Sequence, residues 1–310
     1  MSALICGSLA FDTITVFPGR FKEQILPEQL HILNVSFFVP TLRREYGGCA
    51  GNIAYNLHLL GGTAVVMAAL GNDGADYLER LTSWGCSTAH VRTVDDSYTA
   101  QAFIITDADN NQITAFHPGA MNDAHRTAVS AAVSAAVSAS NELKVAIIAP
   151  DGRDAMIQHA AQLAAAGIPF VFDPGQGLPM FDGEELNHFI SLATWVTVND
   201  YEARMLSERT GKSLEALSTS HLKGVIVTLA DDGCELWQQG ARTHVPGVKA
   251  TEVLDPTGCG DAFRGALLYG LERGWPLERC VSLGNRVGAI KIASRGGQNH
   301  QLNSAALLGL

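Results

Sequence analysis

The chain has 310 residues, 47% of them hydrophobic and 17% charged, enough to bury a large core. Its net charge of −10 argues against nucleic acid or an anionic membrane surface as the main partner. The six cysteines (Cys6, Cys49, Cys86, Cys234, Cys259 and Cys280) are scattered without a Cys-x-x-Cys pair and read as reduced thiols of a cytoplasmic protein.

No basic stretch followed by a long apolar run opens the chain, and no run of about 18 apolar residues occurs, so neither a signal peptide nor a membrane span is expected. The histidines show no His-x-x-x-His or His-Glu-x-x-His pattern, which gives no catalytic metal site. A Gly-x-Gly-x-x-Gly opening and a Walker-type loop are both missing.

In chain order, the apolar run Ala3–Cys6 predicts a first strand, and Asp12 follows just past its carboxyl end. A carboxylate there can accept from two vicinal hydroxyls; a turn Asp explains it equally well. Residues 13–46 lose the strand–helix rhythm and read as antiparallel strands. Next, Tyr46-Gly-Gly-Cys-Ala-Gly-Asn52 opens a helix that carries Ile53, Leu57 and Leu60. Gly47 and Gly48 allow a polar ligand close to the backbone, and Asn52 offers both a donor and an acceptor, the mixture sugar hydroxyls need. A plain helix start capped by Asn fits the same residues.

Ala64–Leu70 predicts a second buried strand. Residues 90–117 again read as antiparallel strands around the polar turn Asp109–Asn111. Together with 13–46 they are expected to form a small β lid over the crevice at the carboxyl ends of the main strands. Phe103, Phe116 and Met121 are apolar candidates for sandwiching a flat base, with ordinary packing as the alternative for each. Ala128–Ser138 repeats every four residues and reads as a surface helix with a narrow buried stripe along Val129, Val133 and Val137.

Apolar strands recur at 144–149, 168–172, 195–198 and 224–228, each beside a helix-like segment. This alternation implies a mostly parallel sheet with helices on both faces. Asn199 and Glu202 stand one helical turn apart after the strand at 195–198; they suit a hard cation that keeps its own waters, and equally a capping box.

Asp255-Pro-Thr-Gly-Cys-Gly-Asp261 is the most telling stretch. Gly258 and Gly260 allow a sharp turn into an amphipathic helix carrying Phe263, Ala266, Leu267 and Leu271. The loop amides around Gly258, Cys259 and Gly260 then face one small volume with the positive helix end, a place for a phosphate. An anion-binding loop has no use for an acid, so Asp261 is expected to take a proton from a hydroxyl attacking a phosphoryl group. Near a helix N-terminus it is expected to stay ionised and act as a weak base.

This stretch resembles the Asp-Thr-x-Gly-Ala-Gly-Asp motif of the ribokinase-like (PfkB) carbohydrate and nucleoside kinase family, with Pro256 and Cys259 as departures. Gly47–Asn52 resembles that family's Gly-Gly-x-x-x-Asn motif. The resemblance implies a 1–310 single ribokinase-like domain with an inserted lid. It assigns sugar hydroxyls to Asp12, Gly47, Gly48 and Asn52, and Mg²⁺–phosphate organisation through water to Asn199 and Glu202. ATP is assigned to Asn199, Thr228, Gly233, Thr257, Gly258, Gly260 and Asn285. Val227–Gly233 departs from the family's nucleotide segment, since Ala230 replaces its first glycine and puts closest backbone approach in doubt there. In some members a monovalent cation such as K⁺ sits near the positions of Asp255, Thr257 and Gly296-Gly297. The segments 24–33 and 43–52 look like the bacterial and archaeal nucleoside kinases, close to adenosine kinase. The implied activity is ATP-dependent phosphorylation of purine ribonucleosides (adenosine, inosine, guanosine), with a sugar kinase for ribose or a related furanose as the alternative. Monomers and lid-mediated homodimers both occur in that family.

Overall fold

The computed structural model describes residues 2–25, 32, 34–138 and 142–309. Most of the segment 24–33 therefore lies outside the described residues. The first half runs β1 (Ser2–Cys6), β2 (Ala10–Val16), α1 (Phe21–Gln24), β3 (Thr41–Gly47), α2 (Cys49–Leu59), β4 (Ala64–Gly71), α3 (Ala75–Ser83), β5 (Ser87–Val94), β6 (Ala100–Thr106) and β7 (Gln112–His117). Then come α4 (Val129–Ser138), β8 (Leu143–Ile148), α5 (Arg153–Ala165), β9 (Phe170–Phe172), α6 (Gly183–Leu192), β10 (Trp195–Asn199), α7 (Asp200–Thr210) and α8 (Leu214–Ser218). The chain closes with β11 (Gly224–Thr228), β12 (Gly233–Gln238), β13 (Ala241–Pro246), α9 (Cys259–Leu271), α10 (Leu277–Lys291) and α11 (Ser304–Leu308).

The strands form a nine-stranded sheet in the order β13-β12-β11-β10-β9-β8-β1-β4-β5 and a four-stranded sheet in the order β3-β2-β6-β7. In the large sheet every pairing from β11 to β5 is parallel; β12 and β13 add an antiparallel edge. All eight residues of β4 are buried, which a strand covered on both faces requires. Alternation divides each strand between two cores. Ala3 and Ile5 join α2, α3, α9 and α10 on one face, while Leu4 and Cys6 join α4 to α8 on the other. In α4, Val129 is buried and Val133 packs beside the core, as the four-residue repeat predicts.

The small sheet is the lid, with three differences from the sequence reading. Residues 90–94 belong to β5 of the large sheet, paired parallel with β4, so this part of the lid begins at β6. The two lid regions are joined by a parallel pairing of β2 with β6, Asp12 lying opposite Ala102. Asp12 is thus inside the first lid strand rather than at the end of β1. The β12–β13 hairpin has no counterpart among the strands expected from sequence.

Candidate active site

A cleft of about 840 Å³ separates the lid from the carboxyl ends of the large sheet. Lid residues Asp12, Ala102 and Phe116 share one wall, because each lies opposite the next across the β2–β6–β7 ladder. Met121 and Met180 add thioethers to the lining. Asp12 lies directly over Gly47: a Cβ there would come 2.7 Å from Oδ2 of Asp12. Only a glycine leaves that carboxylate in place.

Gly258 is the N-cap of α9 with φ 77, a conformation L side chains rarely adopt. A Cβ on it would meet Cα of Gly297 at 3.0 Å. The turn brings Thr257, Gly258, Gly260 and Asp261 to the cleft. Among the described residues, neither Gly258 N–H nor Gly260 N–H has a backbone partner, which leaves both for an anion.

Asp261 is held by a relay. Asn52 Nδ2 donates to Asp261 Oδ2 at 2.7 Å, and Gln298 Nε2 donates to Asn52 Oδ1 at 3.1 Å. Gln298 is fixed in turn by the Tyr77 hydroxyl and by Arg80. Below the loop, Arg264 forms a bidentate pair with Asp173, with Nη2 to Oδ1 at 2.7 Å, and its Nη1 donates to Gly260 O at 3.1 Å. Arg264 and Asp173 are 6% and 2% exposed, so the pair is desolvated and bidentate.

The carboxyls are poised by this packing. Burial pushes Asp261 above the ordinary aspartate range, opposed by the Asn52 hydrogen bond and the Arg264 charge. It is therefore a stronger base than its place at a helix N-terminus suggested. Burial, with the charges of Asp261, Glu45 and Asp255, pushes Asp12 up to about 6. Asn199 and Glu202 form the reciprocal capping box: Glu202 N donates to Asn199 Oδ1 at 2.7 Å and Asn199 N to Glu202 Oε2 at 2.8 Å. Both also line the cleft, so the capping box does not take them off its wall.

A model of the pfkB family of carbohydrate kinases matches residues 23–304. The chain belongs to this family. The nucleoside kinase of Burkholderia thailandensis, solved in complex with inosine, is 48% identical; the match covers 99% of this chain and 95% of that one, with a TM-score of 0.84. The same protein in complex with ADP-inosine matches with a TM-score of 0.82 and covers 93% of that chain. A nucleoside kinase of Methanocaldococcus jannaschii is 26% identical over 303 residues, 97% of this chain and 93% of the relative.

In this ATP-dependent kinase the cleft wall brings together Asp12, Gly48, Asn52, Phe116, Met121, Asn199, Glu202, Thr228, Thr257, Gly258, Gly260 and Asp261. Five other candidates stand elsewhere, Gly47 lying under Asp12. Phe103 lies opposite Thr13 and Ala115, one residue out of phase with the Asp12 row, and projects from the other lid face at 45% exposure. Asn285 donates to Val245 O and Pro246 O and ties α10 to the β13 edge. Gly233 turns the chain into β12 at φ 94, where a Cβ would meet Gly247 N at 2.3 Å. Cys259 spends its N–H on Pro256 O at 3.1 Å, unlike Gly258 and Gly260. Ala230, where the family has glycine, lines the cleft at φ 53.

Sequence reasoning missed Arg264, Asp173, Asp151 and Gln298. Asp151 and Asp173 each closely follow an expected apolar strand, the position where open α/β sheets carry functional groups, so that signal was present. Asp151 is 3% exposed; Oδ1 accepts Gly152 N–H at 2.9 Å, and Oδ2 has no partner among the described residues. Burial pushes it up to about 8, and the residue lines the cleft. Nothing local marks Gln298 or Arg264.

Proposed function

We propose that this kinase transfers the γ-phosphoryl group of ATP to the 5′-hydroxyl of purine ribonucleosides, giving nucleoside 5′-monophosphates and ADP. The observation that carries this reading is the Asn52–Asp261 hydrogen bond beneath a lid wall presenting Asp12 and Phe116. Asp12 accepts from the ribose hydroxyls, and Asn52 steers both the sugar and the base-catalytic carboxylate. Asp261 takes the proton of the 5′-hydroxyl as that oxygen attacks, and burial makes it a better base than a solvated aspartate. The free amides of Gly258 and Gly260 face the charge on the transferring group. Phe116, Met121 and Met180 offer flat and polarizable surface to a base. The inosine complexes of the Burkholderia thailandensis relative support a purine acceptor.

Among the described residues no group of three or more His, Cys, Asp or Glu side chains encloses a metal. Asp173 is committed to Arg264; the oxygen donors that the start of α7 brings to the cleft are Asn199, Asp200 and Glu202. That sparse set fits Mg²⁺ arriving on ATP and touching the protein through water, where it would neutralise phosphate charge. No helix among the described residues is long and apolar enough to cross a membrane.

Steady-state kinetics with adenosine, inosine, guanosine, cytidine, ribose and fructose test the substrate. A base stacked on aromatic or thioether groups contributes about 1–3 kcal/mol, so a purine ribonucleoside is expected to exceed ribose by about 5- to 150-fold in kcat/KM. Ribose or fructose as the best acceptor would move the enzyme to the sugar kinases.

Asp12→Ala is expected to lower kcat/KM for the nucleoside about 10-fold or more while KM for ATP stays near wild type. Asp12 is pushed up to about 6, and its acceptor form is the carboxylate. Acceptor kcat/KM should therefore fall as pH drops through that value, and Asp12→Asn should flatten this limb. Equal damage to ATP and nucleoside would remove Asp12 from the sugar site.

A further inference from the structure

The loops that the family resemblance links to a monovalent cation are built here around a side chain. Asp255 Oδ1 accepts Thr257 N–H and Oδ2 accepts Gly296 N–H, both at 2.9 Å. Lys291, at the end of α10, is 0% exposed and sends its Nζ into the same junction. It donates to Asp255 O at 2.8 Å and to Ser294 O at 3.1 Å. The backbone amides of Leu254 and Asp255 both donate to Ile292 O, at 2.9 and 3.1 Å. Residues 254–257 and 291–296 are therefore one hydrogen-bonded unit that leads into Gly258, where an added Cβ would come 3.0 Å from Gly297 Cα.

This donor set does not fit a free ion. Its carboxylate oxygens already hold two amides, and two of its carbonyls hold an ammonium. A second positive charge would have to share these acceptors with the first, at a Coulomb cost. We propose that Lys291 is the built-in monovalent cation of this kinase, its ammonium bridging the Asp255 and Ser294 carbonyls so that the phosphate-facing loop is ordered without K⁺.

A helix-capping lysine is the plainer account, and the geometry goes beyond it. Such lysines bond the last carbonyls of their own helix from the solvent side. The shorter bond of Lys291 instead crosses 36 residues to the loop that carries the base, and the side chain is fully enclosed. Burial lowers its pKa, opposed by the charges of Cys259, Asp255 and Asp261. A buried ammonium is tolerated only where such acceptors compensate its lost hydration. The inference rests on the loop geometry and on membership of the kinase family, not on the identity of the acceptor.

The test compares KCl, NH₄Cl and choline chloride at equal ionic strength. For the wild-type chain, the rate with inosine and the Tm are expected to be the same in KCl and choline chloride, the rate within about 2-fold. Lys291→Ala empties a space that K⁺ and NH₄⁺ enter and choline does not. In choline chloride it should melt lower and turn over about 10-fold slower or worse, and KCl or NH₄Cl should restore both in a saturable way. A wild-type enzyme activated about 10-fold or more by K⁺, or stabilised by it saturably, overturns the proposal, as does a folded Lys291→Ala that ignores both ions. If the variant does not fold, the wild-type pair of measurements decides. Because Tm needs no substrate, a chain inert toward every acceptor would sink the nucleoside reading while the KCl-independent Tm still supported Lys291.

Discussion

Asp261→Asn is expected to lower kcat by about 10²–10⁴, the range for a lost general base, with nucleotide affinity little changed. The amide keeps the size of the carboxylate, so α9 and its Gly258 turn are undisturbed; what disappears is the proton acceptor. The partner geometry also predicts a secondary effect. Asn52 Nδ2 donates to Asp261 Oδ2 at 2.7 Å, and the amide that Asp261→Asn introduces can still accept through its own oxygen. The variant therefore need not displace the Asn52 side chain proposed to steer the sugar, and KM for the nucleoside should move less than kcat. The wild-type pH profile carries a second check. Burial raises the pKa of Asp261, so its basic form is lost as pH falls through that raised value, and the share of the acid limb of kcat that Asp261 carries should disappear in the variant. Asp12 titrates nearby and the two carboxyls influence each other, so the limb belongs to the pair. Turnover within a few-fold of wild type would end the general-base assignment.

The largest loss of stability is expected from Arg264→Met. It removes one partner of a buried bidentate pair and strands the Asp173 carboxylate, which is 2% exposed. Breaking such a pair typically costs about 3–5 kcal/mol, since the remaining charge has neither water nor counter-ion. The same substitution frees Gly260 O from Arg264 and removes the positive charge facing Asp261. Activity should therefore fall even under conditions where the variant is folded. Urea unfolding of Arg264→Met, Asp173→Asn and the double variant separates the effects. The double variant should recover a large part of the stability and little of the activity. A single-variant loss below about 1 kcal/mol would mean that water reaches the pair.

Much of the chemistry was legible because it is local in the chain. The turn at Gly258, the acid in the first turn of α9 and the Asn199–Glu202 capping box all depend on residues within four positions of one another. Backbone sterics and helix geometry act over that range, so residue types at fixed spacing suffice. The alternation of apolar strands with amphipathic helices likewise implied a parallel sheet with two covered faces. Tertiary structure decided what spacing leaves open. A lid strand has two faces of opposite phase, and the pairing of β6 with β2 and β7 put Phe116 on the cleft and Phe103 away from it. The Cys259 amide turned to Pro256 because the loop closes on itself before α9 begins. Arg264 and Asp173 meet across 91 residues, and Gln298 reaches Asn52 across 246. Contacts at such separations depend on how whole layers pack, and the cost of closing a loop grows so slowly with length that it favours no particular partner.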